Sequence, residues 1–564
     1  MPVAPVEYPP PVDSPKEFVG PPTDPEEERI EVGVVIVGGG PGGLACAIKL
    51  MQLLEGDQQL AESLGEVPVA LVEKGKTPGS HLLSGAMMQP SAMKELFPDL
   101  DESDWPTCGT VEKDAAYFMT RKRAIRFPQV PPPFRNHGNH VTSIAQLGRF
   151  LSGKAEEAGV YILPETVAAK LLVEDGVVRG VRTGDKGRGR DGEELPNFEP
   201  GSDLIGRATV LAEGTQGHLT GAAIGHFDLG NEDPPQWELG VKEVWEVQQP
   251  LDRVIHTMGW PLRFRAKYRE FGGSFVYPMG EDKVSLGFVV GLDYRDATFS
   301  LHDVLQEFKT HPLIRSILDG GKRVAWGAKT LPSGGYWAMP RQLWAPGLCL
   351  AGDGASMCNV TRLKGIHQAM HAGIYAAEAI FEALGKGSTE DLSGYEDRVR
   401  ESAIEKDLYR ARNMRQVFSK GFFVGGALAN MMELSGGRFP GGRFRTHDDA
   451  TVDVFIGKRD KSYPKPDGKY TFDKLSSVFA SGNATRDDAP NHIRVQKDVP
   501  REIAETWVWM CPAGVYEIPD DAPEHGNVDL IVNYTNCVQC GAITAKGGRL
   551  TPPEGGDGPL YTQT

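Results

Sequence analysis

A β-branched run, Val34-Val35-Ile36-Val37, stops abruptly at Gly38, and small residues then open a stretch whose apolar positions Leu44, Ile48 and Leu50 recur at helical spacing. Between them stands Gly38-x-Gly40-x-x-Gly43, with Gly39 inside the same turn. Strand, glycine turn and helix in that order predict a dinucleotide-binding crossover. Gly38 allows the sharp turn, Gly40 lets backbone approach a pyrophosphate, and Gly43 lets the helix pack on the strand. The helix N-terminus then meets the phosphate charge. The next buried strand, Val69–Val72, ends at Glu73, placed to accept from ribose hydroxyls. Glu73 lies 30 residues past Gly43, and the polar stretch Glu55–Glu66 accounts for the excess over the usual spacing of about 20.

FAD and NAD share this fingerprint, so a second signal must choose between them. It comes at Leu350–Ala355, LAGDGA, where a strand ends in Gly352-Asp353 before a helix. Alone, a Gly-Asp pair is a turn. Paired with the first fingerprint it resembles the second flavin motif of two-dinucleotide-binding flavoproteins, whose aspartate hydrogen-bonds the ribityl chain, and FAD is the expected cofactor. No second GxGxxG follows a strand to hold a nicotinamide cofactor. One dinucleotide fold split by a large insertion follows. Val177–Val181 and Ala208–Ala212 read as further strands, Lys186–Ser202 as a polar loop, and Gly240–Asp293 as a sheet. Gly365–Leu384 reads as a strong helix and Arg438–Ala450 as irregular.

Composition narrows the function classes. With 60 Lys+Arg against 76 Asp+Glu the net charge is −16, which argues against a nucleic-acid binder that relies on bulk charge. Seven cysteines in 564 residues are no disulfide scaffold and fit a reducing compartment. No run of 18 apolar residues suggests a spanning helix. Residues 1–31, rich in proline and acid, read as a disordered leader without the basic and apolar blocks of a signal peptide.

The C-terminal end carries a second constellation, Cys511-Pro512 and Cys537-x-x-Cys540. Soft thiolates in this arrangement suggest iron–sulfur ligation. A redox CxxC, unliganded buried thiols and a zinc site are the alternatives, the last without a histidine or fourth thiol at zinc spacing. A four-iron cluster wants four thiolates, and the next position at CxxCxxC spacing is Ile543.

With these motifs in hand, the chain resembles the electron-transfer flavoprotein–ubiquinone oxidoreductase family from about Gly33 to the C-terminus. The resemblance rests on VIVGGGPGGLACA (Val35–Ala47), LLSGAMMQPSAMKELFPD (Leu82–Asp99), GVKEVWEV (Gly240–Val247), HTMGWPL (His256–Leu262), FGGSFVYPM (Phe271–Met279), LKGIHQAM (Leu363–Met370), CPAGVYE (Cys511–Glu517), NCVQC (Asn536–Cys540) and PEGGDGP (Pro553–Pro559). It implies a mixed α/β and α+β molecule: an FAD-binding Rossmann-like domain (32–235, returning at 341–450 with a membrane-associated region), an interleaved quinone-binding domain (236–340) and a ferredoxin-like domain (451–564). It further implies electrons arriving from electron-transfer flavoprotein and leaving to ubiquinone, with Gly272-Gly273 at the quinone head group and Cys511, Cys537 and Cys540 on the cluster. Here Phe271 precedes the glycine pair, and Ile543 replaces the last cysteine, so a three-iron cluster, a four-iron cluster with a foreign ligand, or no cluster remain open.

A protein that reaches quinone without a spanning helix needs an apolar approach surface. Leu82–Leu100 and Val417–Leu434 are the candidates for dipping into one leaflet, core packing being the alternative for each. Arg410, Arg412, Arg415, Arg438, Arg443 and Arg445 would suit anionic headgroups. The expected place is peripheral, on the cytoplasmic face of a bacterial inner membrane. The competing readings are a flavin-dependent reductase acting directly on a lipid-like substrate, with a degenerate cluster domain, and a non-catalytic adaptor.

Overall fold

The computed structural model describes residues 3–439 and 441–564. Strands β1 (Val34–Val37) and β2 (Val69–Val72) flank helix α1 (Pro41–Glu55). Then come β3 (Asp114–Met119), β4 (Ala124–Arg126), β5 (Tyr161–Leu163), β6 (Ala208–Leu211), β7 (Trp237–Glu246), β8 (Val254–Gly259), β9 (Gly272–Pro278) and β10 (Lys283–Gly291). Helix α2 (Leu301–Lys309), β11 (Lys322–Pro332), β12 (Trp344–Ala345), β13 (Leu348–Leu350) and helices α3 (Ile366–Gly385) and α4 (Phe422–Leu434) follow. Helices α5 (Lys474–Ala480) and α6 (Arg501–Met510) belong to the cysteine-bearing end.

The first sheet has the order β5-β2-β1-β6-β13-β12 and is parallel except for β12. Its central strands are buried on both faces, which is why β1 and β2 are unbroken apolar runs. Helices α1 and α3 pack unusually close because glycines meet: a Cβ on Gly373 would stand 2.0 Å from the Gly42 carbonyl oxygen. β6 and β13, some 140 residues apart in sequence, sit side by side, so the dinucleotide fold is indeed split by an insertion.

That insertion supplies β7 to β11 of a second sheet, whose order is β11-β7-β10-β9-β8-β3-β4; β3 and β4 join it from the segment between β2 and β5, and it is antiparallel apart from the β8/β3 pair. Alternation along its strands gives it two different faces. Leu286, Phe288 and Trp326 bury against α2 and the C-terminal end, in one core with Trp507, Cys511 and Cys537. Gly240, Lys242, Phe275, Tyr277 and Lys329 face the first sheet.

Two expectations are corrected. The leader, described from residue 3 onward, is docked rather than disordered; residues 1 and 2 lie outside the described residues. Val19–Gly20 and Ile30–Glu31 pair with Leu171–Leu172 and Leu204–Ile205 at the two edges of a five-stranded sheet. Phe18 is buried, and the Thr23 and Asp24 amides donate to the buried Asp203 carboxylate at 2.6 and 2.9 Å. Proline and acid here fix turns and caps instead of solvating a tail. The polar stretch 186–202 contains a hairpin, Lys186–Arg188 with Glu194–Glu199, because cross-strand hydrogen bonding needs no apolar face. Arg438–Ala450 is irregular as expected, with Pro440 outside the described residues.

Candidate functional site

A cavity of about 300 Å³ opens at the carboxyl ends of β1, β2, β6 and β13 and extends to the second sheet, the position where an open α/β sheet takes its ligand. Gly38, Gly39, Gly40 and Glu73 line one side, and Gly352 and Asp353 another, so the two predicted flavin signals meet in one wall. Gly38 has φ +110° and a Cβ there would strike the Ala212 oxygen at 2.4 Å; at Gly43 it would strike the Gly38 oxygen at 2.1 Å. At Gly40 the nearest heavy atom is Leu82 Cδ2 at 3.7 Å, so that glycine leaves open space for a ligand. Glu73 accepts from the Gly39 and Gly75 amides at 2.8 and 2.6 Å, one per carboxylate oxygen, and each oxygen keeps a lone pair for a ribose hydroxyl. Burial pushes the Asp353 carboxyl up to about 6. Gly43 lies behind the wall and shapes it without lining it.

Other residues of the wall were not singled out from the sequence. Glu213-Gly214-Thr215-Gln216-Gly217 forms a third turn at the end of β6, and its signal was legible: a buried strand running into Glu-Gly. Burial opposes ionisation of Glu213, but His218 beside it and the Thr220 amide and hydroxyl outweigh burial and hold it down at about 2. Burial pushes Lys242 and Lys329 down to about 8, Lys329 with the help of nearby Lys74. Gln216, Leu363 and Gln539 line the cavity with φ of +56°, +53° and +51°. Non-glycine residues in that region cost about 1–3 kcal/mol each and cluster at ligand sites.

The cysteine loops reach the same cavity from the far side. Gln539 and Gly541 line it, Lys329 Nζ donates to the Gln539 carbonyl at 3.0 Å, and Thr330 binds the Cys540 carbonyl through its amide and hydroxyl, both at 2.8 Å. Asn536 Nδ2 donates to the Gly514 carbonyl at 3.3 Å, tying the Cys511 loop to the CxxC loop. Cys511 Sγ accepts from the Val515 amide and Cys537 Sγ from the Gln539 amide, each at 3.4 Å. Among the described residues no three His, Cys, Asp or Glu side chains stand together as a single-ion site. A multi-iron cluster spreads its thiolates wider. Three thiols, two of them accepting backbone amides, with Lys74 and Lys329 nearby, suit such a cluster by their chemistry; Ile543, at the sequence position where a fourth thiolate is expected, is 5% exposed.

Gly272 and Gly273 lie in β9 beside the wall. A Cβ would meet the Val289 oxygen at 2.0 Å in the first case and the Thr257 oxygen at 2.7 Å in the second. Close strand packing by itself accounts for both glycines. Val289, the partner of Gly273, lines the large cavity, while Phe271 lines a smaller one with Phe264, Arg415, Phe418 and Phe422.

The apolar stretches separate. Met87, Met88, Met93 and Leu96 are at most 2% exposed, so Leu82–Leu100 is core and cavity wall, not a membrane element. In α4, by contrast, Phe423, Val424, Met431 and Leu434 are exposed, Leu434 to 85%. The arginines are mostly engaged: Arg415 is buried against Glu238 and Asp293, Arg410 pairs with Glu433, and Arg443 and Arg445 with Glu232. Carboxylates within reach satisfied them before any headgroup. No described helix is long and apolar enough to cross a membrane.

Two sequence models match the chain: one described as "ETF-QO, ubiquinone-binding" over residues 237–331 and one as "Electron transfer flavoprotein-ubiquinone oxidoreductase, 4Fe-4S" over residues 468–562. The chain is 37% identical to the probable electron transfer flavoprotein-ubiquinone oxidoreductase of Acinetobacter baylyi, covering 95% of this chain and 99% of the relative. It is 37% identical to the Pseudomonas aeruginosa protein of that name (95% and 99%) and 36% to the mitochondrial one of Bos taurus (94% and 89%). Among solved structures, a geranylgeranyl bacteriochlorophyll reductase-like protein of Thermoplasma acidophilum superimposes with TM-score 0.54 at 19% identity, over 75% of this chain and 95% of that one. At that identity the likeness shows the fold alone.

Proposed function

The chain belongs to the electron transfer flavoprotein–ubiquinone oxidoreductase family, and from this premise we propose that its three site regions form one electron relay from electron-transfer flavoprotein to ubiquinone. The activity is that of an electron-transferring-flavoprotein dehydrogenase. The observation that carries the reading is the shared cavity: dinucleotide turns, cysteine loop and quinone-domain sheet all contribute to its wall. The alternative of a reductase acting directly on a lipid-like substrate is not favoured, because quinone-binding and cluster domains are both matched.

Gly38, Gly39 and Gly40 with the α1 N-terminus hold the pyrophosphate of FAD, Glu73 the adenosine ribose, and Gly352 and Asp353 the ribityl side. Cys511, Cys537 and Cys540 hold the iron–sulfur cluster. When bound, the cluster exchanges electrons singly and the flavin collects them in pairs, so that chemistry is the cofactors' own. The chain's part is placement and charge. Lys242, buried and donating to the Ser84 carbonyl at 2.9 Å, and the half-buried Lys329 put two cations on the cavity wall, where they favour added negative charge. The quinone head group approaches Gly272 and Gly273, which stand on β9 between Phe271 at the smaller cavity and Phe275 at the larger one.

The quinone's route is supported by aromatic contacts running inward from α4: Phe422 to Phe418 at 6.4 Å between ring centroids, and Phe418 to Phe271 at 4.5 Å. The exposed side of α4 lies in one leaflet, giving peripheral contact without a span; the expected side is the cytoplasmic face of a bacterial inner membrane. The test is iron, acid-labile sulfide and FAD content of anaerobically purified protein, followed by ubiquinone reduction with reduced electron-transfer flavoprotein. The reading expects both cofactors and flavoprotein-dependent quinol formation; flavin without iron, or quinone reduction indifferent to the flavoprotein, overturns it.

A further inference from the structure

Residues 474–483 lie across both cysteine loops. Leu475 packs on Gly514, with Cδ2 3.8 Å from where a Cβ would stand, and Asn483 Nδ2 donates to the Thr535 carbonyl at 2.8 Å. Residues 474–483 thus form an outer cover over the loops that carry Cys511 and Cys537. The inner side of helix α5 carries the buried Ser477 and Val478. Its outer side carries Leu475 and Phe479, four residues apart on one face, 62% and 88% exposed. Phe479 is the most exposed large apolar side chain among the described residues. An apolar pair with so little cover marks a contact surface rather than a core.

The chain that continues from Gly514 adds charge of one sign. Between Gly514 and Asn536 stand Glu517, Asp520, Asp521, Glu524 and Asp529, all exposed, with no lysine or arginine. Resting on the functional reading above, we propose that Leu475 and Phe479, flanked by this acidic segment, form the docking surface for electron-transfer flavoprotein, which presents an apolar cleft rimmed by lysine or arginine. Charge selects this occupant. Five carboxylates repel an anionic lipid surface. A second copy of a chain with net charge −16 would set like charges against each other. The partner's reduced flavin gives up one electron, this chain's cofactors gain it, and no bond is made or broken at the surface.

The test uses the holoprotein in two forms, Leu475→Ser/Phe479→Ser and Asp520→Lys/Asp521→Lys. Neither pair includes a residue assigned to a cofactor, and matching FAD and iron content confirms that each folds. With the flavoprotein of the same organism and a short-chain ubiquinone, the KM for flavoprotein rises at least tenfold in the first variant. In both variants kcat and the quinone KM stay within twofold, and the second loses the salt dependence of the flavoprotein KM. An unchanged flavoprotein KM in both variants overturns the proposal while the functional reading stands. A wild-type protein that takes no electrons from the flavoprotein overturns both. Loss of vesicle binding or of a dimer in the first variant, with the flavoprotein KM intact, assigns the surface to lipid or to a second copy and overturns the proposal alone.

Discussion

Lys74 Nζ donates to Gln539 Oε1 at 2.8 Å, joining the residue after Glu73 to the middle of the CxxC loop across 465 positions of sequence. Burial lowers the Lys74 ammonium from its ordinary value, so the cation is held at a cost close to where the cluster gains negative charge. Lys74→Met is expected to lower the cluster's reduction potential, because a reduced cluster loses a buried counter-charge. It also removes a hydrogen bond to a charged group, worth about 1.5–3 kcal/mol. EPR-monitored redox titration checks the first effect and thermal unfolding the second.

Gly40→Ala and Gly43→Ala separate ligand space from packing. At Gly43 the added methyl meets the Gly38 carbonyl at 2.1 Å, and overpacking of that kind costs about 1–3 kcal/mol, so both Tm and flavin content fall. At Gly40 the methyl meets nothing closer than 3.7 Å, so Tm of the apoprotein stays while FAD affinity drops at least tenfold. Apoprotein melting and flavin titration read the two.

The Glu213 carboxyl, held at about 2 in the fold, ionises more easily than in the unfolded chain. Its contribution to stability is present above the ordinary carboxylate value and is lost as pH falls from about 4.5 toward 2. Glu213→Gln is therefore expected to be less stable at neutral pH, by up to about 3 kcal/mol, and to show a flatter acid limb. Denaturant midpoints from pH 7 to pH 3 measure both.

Phe423 and Leu434 on α4 are predicted lipid contacts. Each is worth about 1.5–3 kcal/mol when fully buried. Phe423→Ser/Leu434→Ser should abolish co-sedimentation with vesicles and raise the KM for long-chain quinone, leaving reduction by electron-transfer flavoprotein in detergent unchanged.

At Ile543 the expected outcome concerns the fourth corner of the cluster. Air exposure should convert the wild type readily to the three-iron form, seen as an oxidised EPR signal. Ile543→Cys should retain the four-iron signal on dithionite reduction.

What the sequence could reveal depended on distance along the chain. Gly38 to Glu73 is a local pattern, and strand, turn and helix are fixed by neighbours, so the dinucleotide end was legible residue by residue. Gly352-Asp353 and the three cysteines were legible as pairs of local signals. Lys74 with Gln539, and Lys329 with the Gln539 carbonyl, are neighbours through tertiary packing alone and leave no spacing to read. Apolar content misled at Leu82–Leu100, because the same methionines serve a core or a leaflet. Val417–Leu434 mixes buried Val417 and Met432 with exposed Phe423 and Leu434, a division that composition alone does not carry.

The two short strands of the N-terminal segment also cap sheet edges. Val19–Gly20 and Ile30–Glu31 occupy both rims of one sheet, so the backbone donors and acceptors of Leu171–Leu172 and Leu204–Ile205 are never offered to another molecule. Shortening the chain to Val32 would strip both rims at once. The result would be a protein that still builds its dinucleotide fold yet self-associates edge to edge, its failure visible as precipitation and not as lost cofactor.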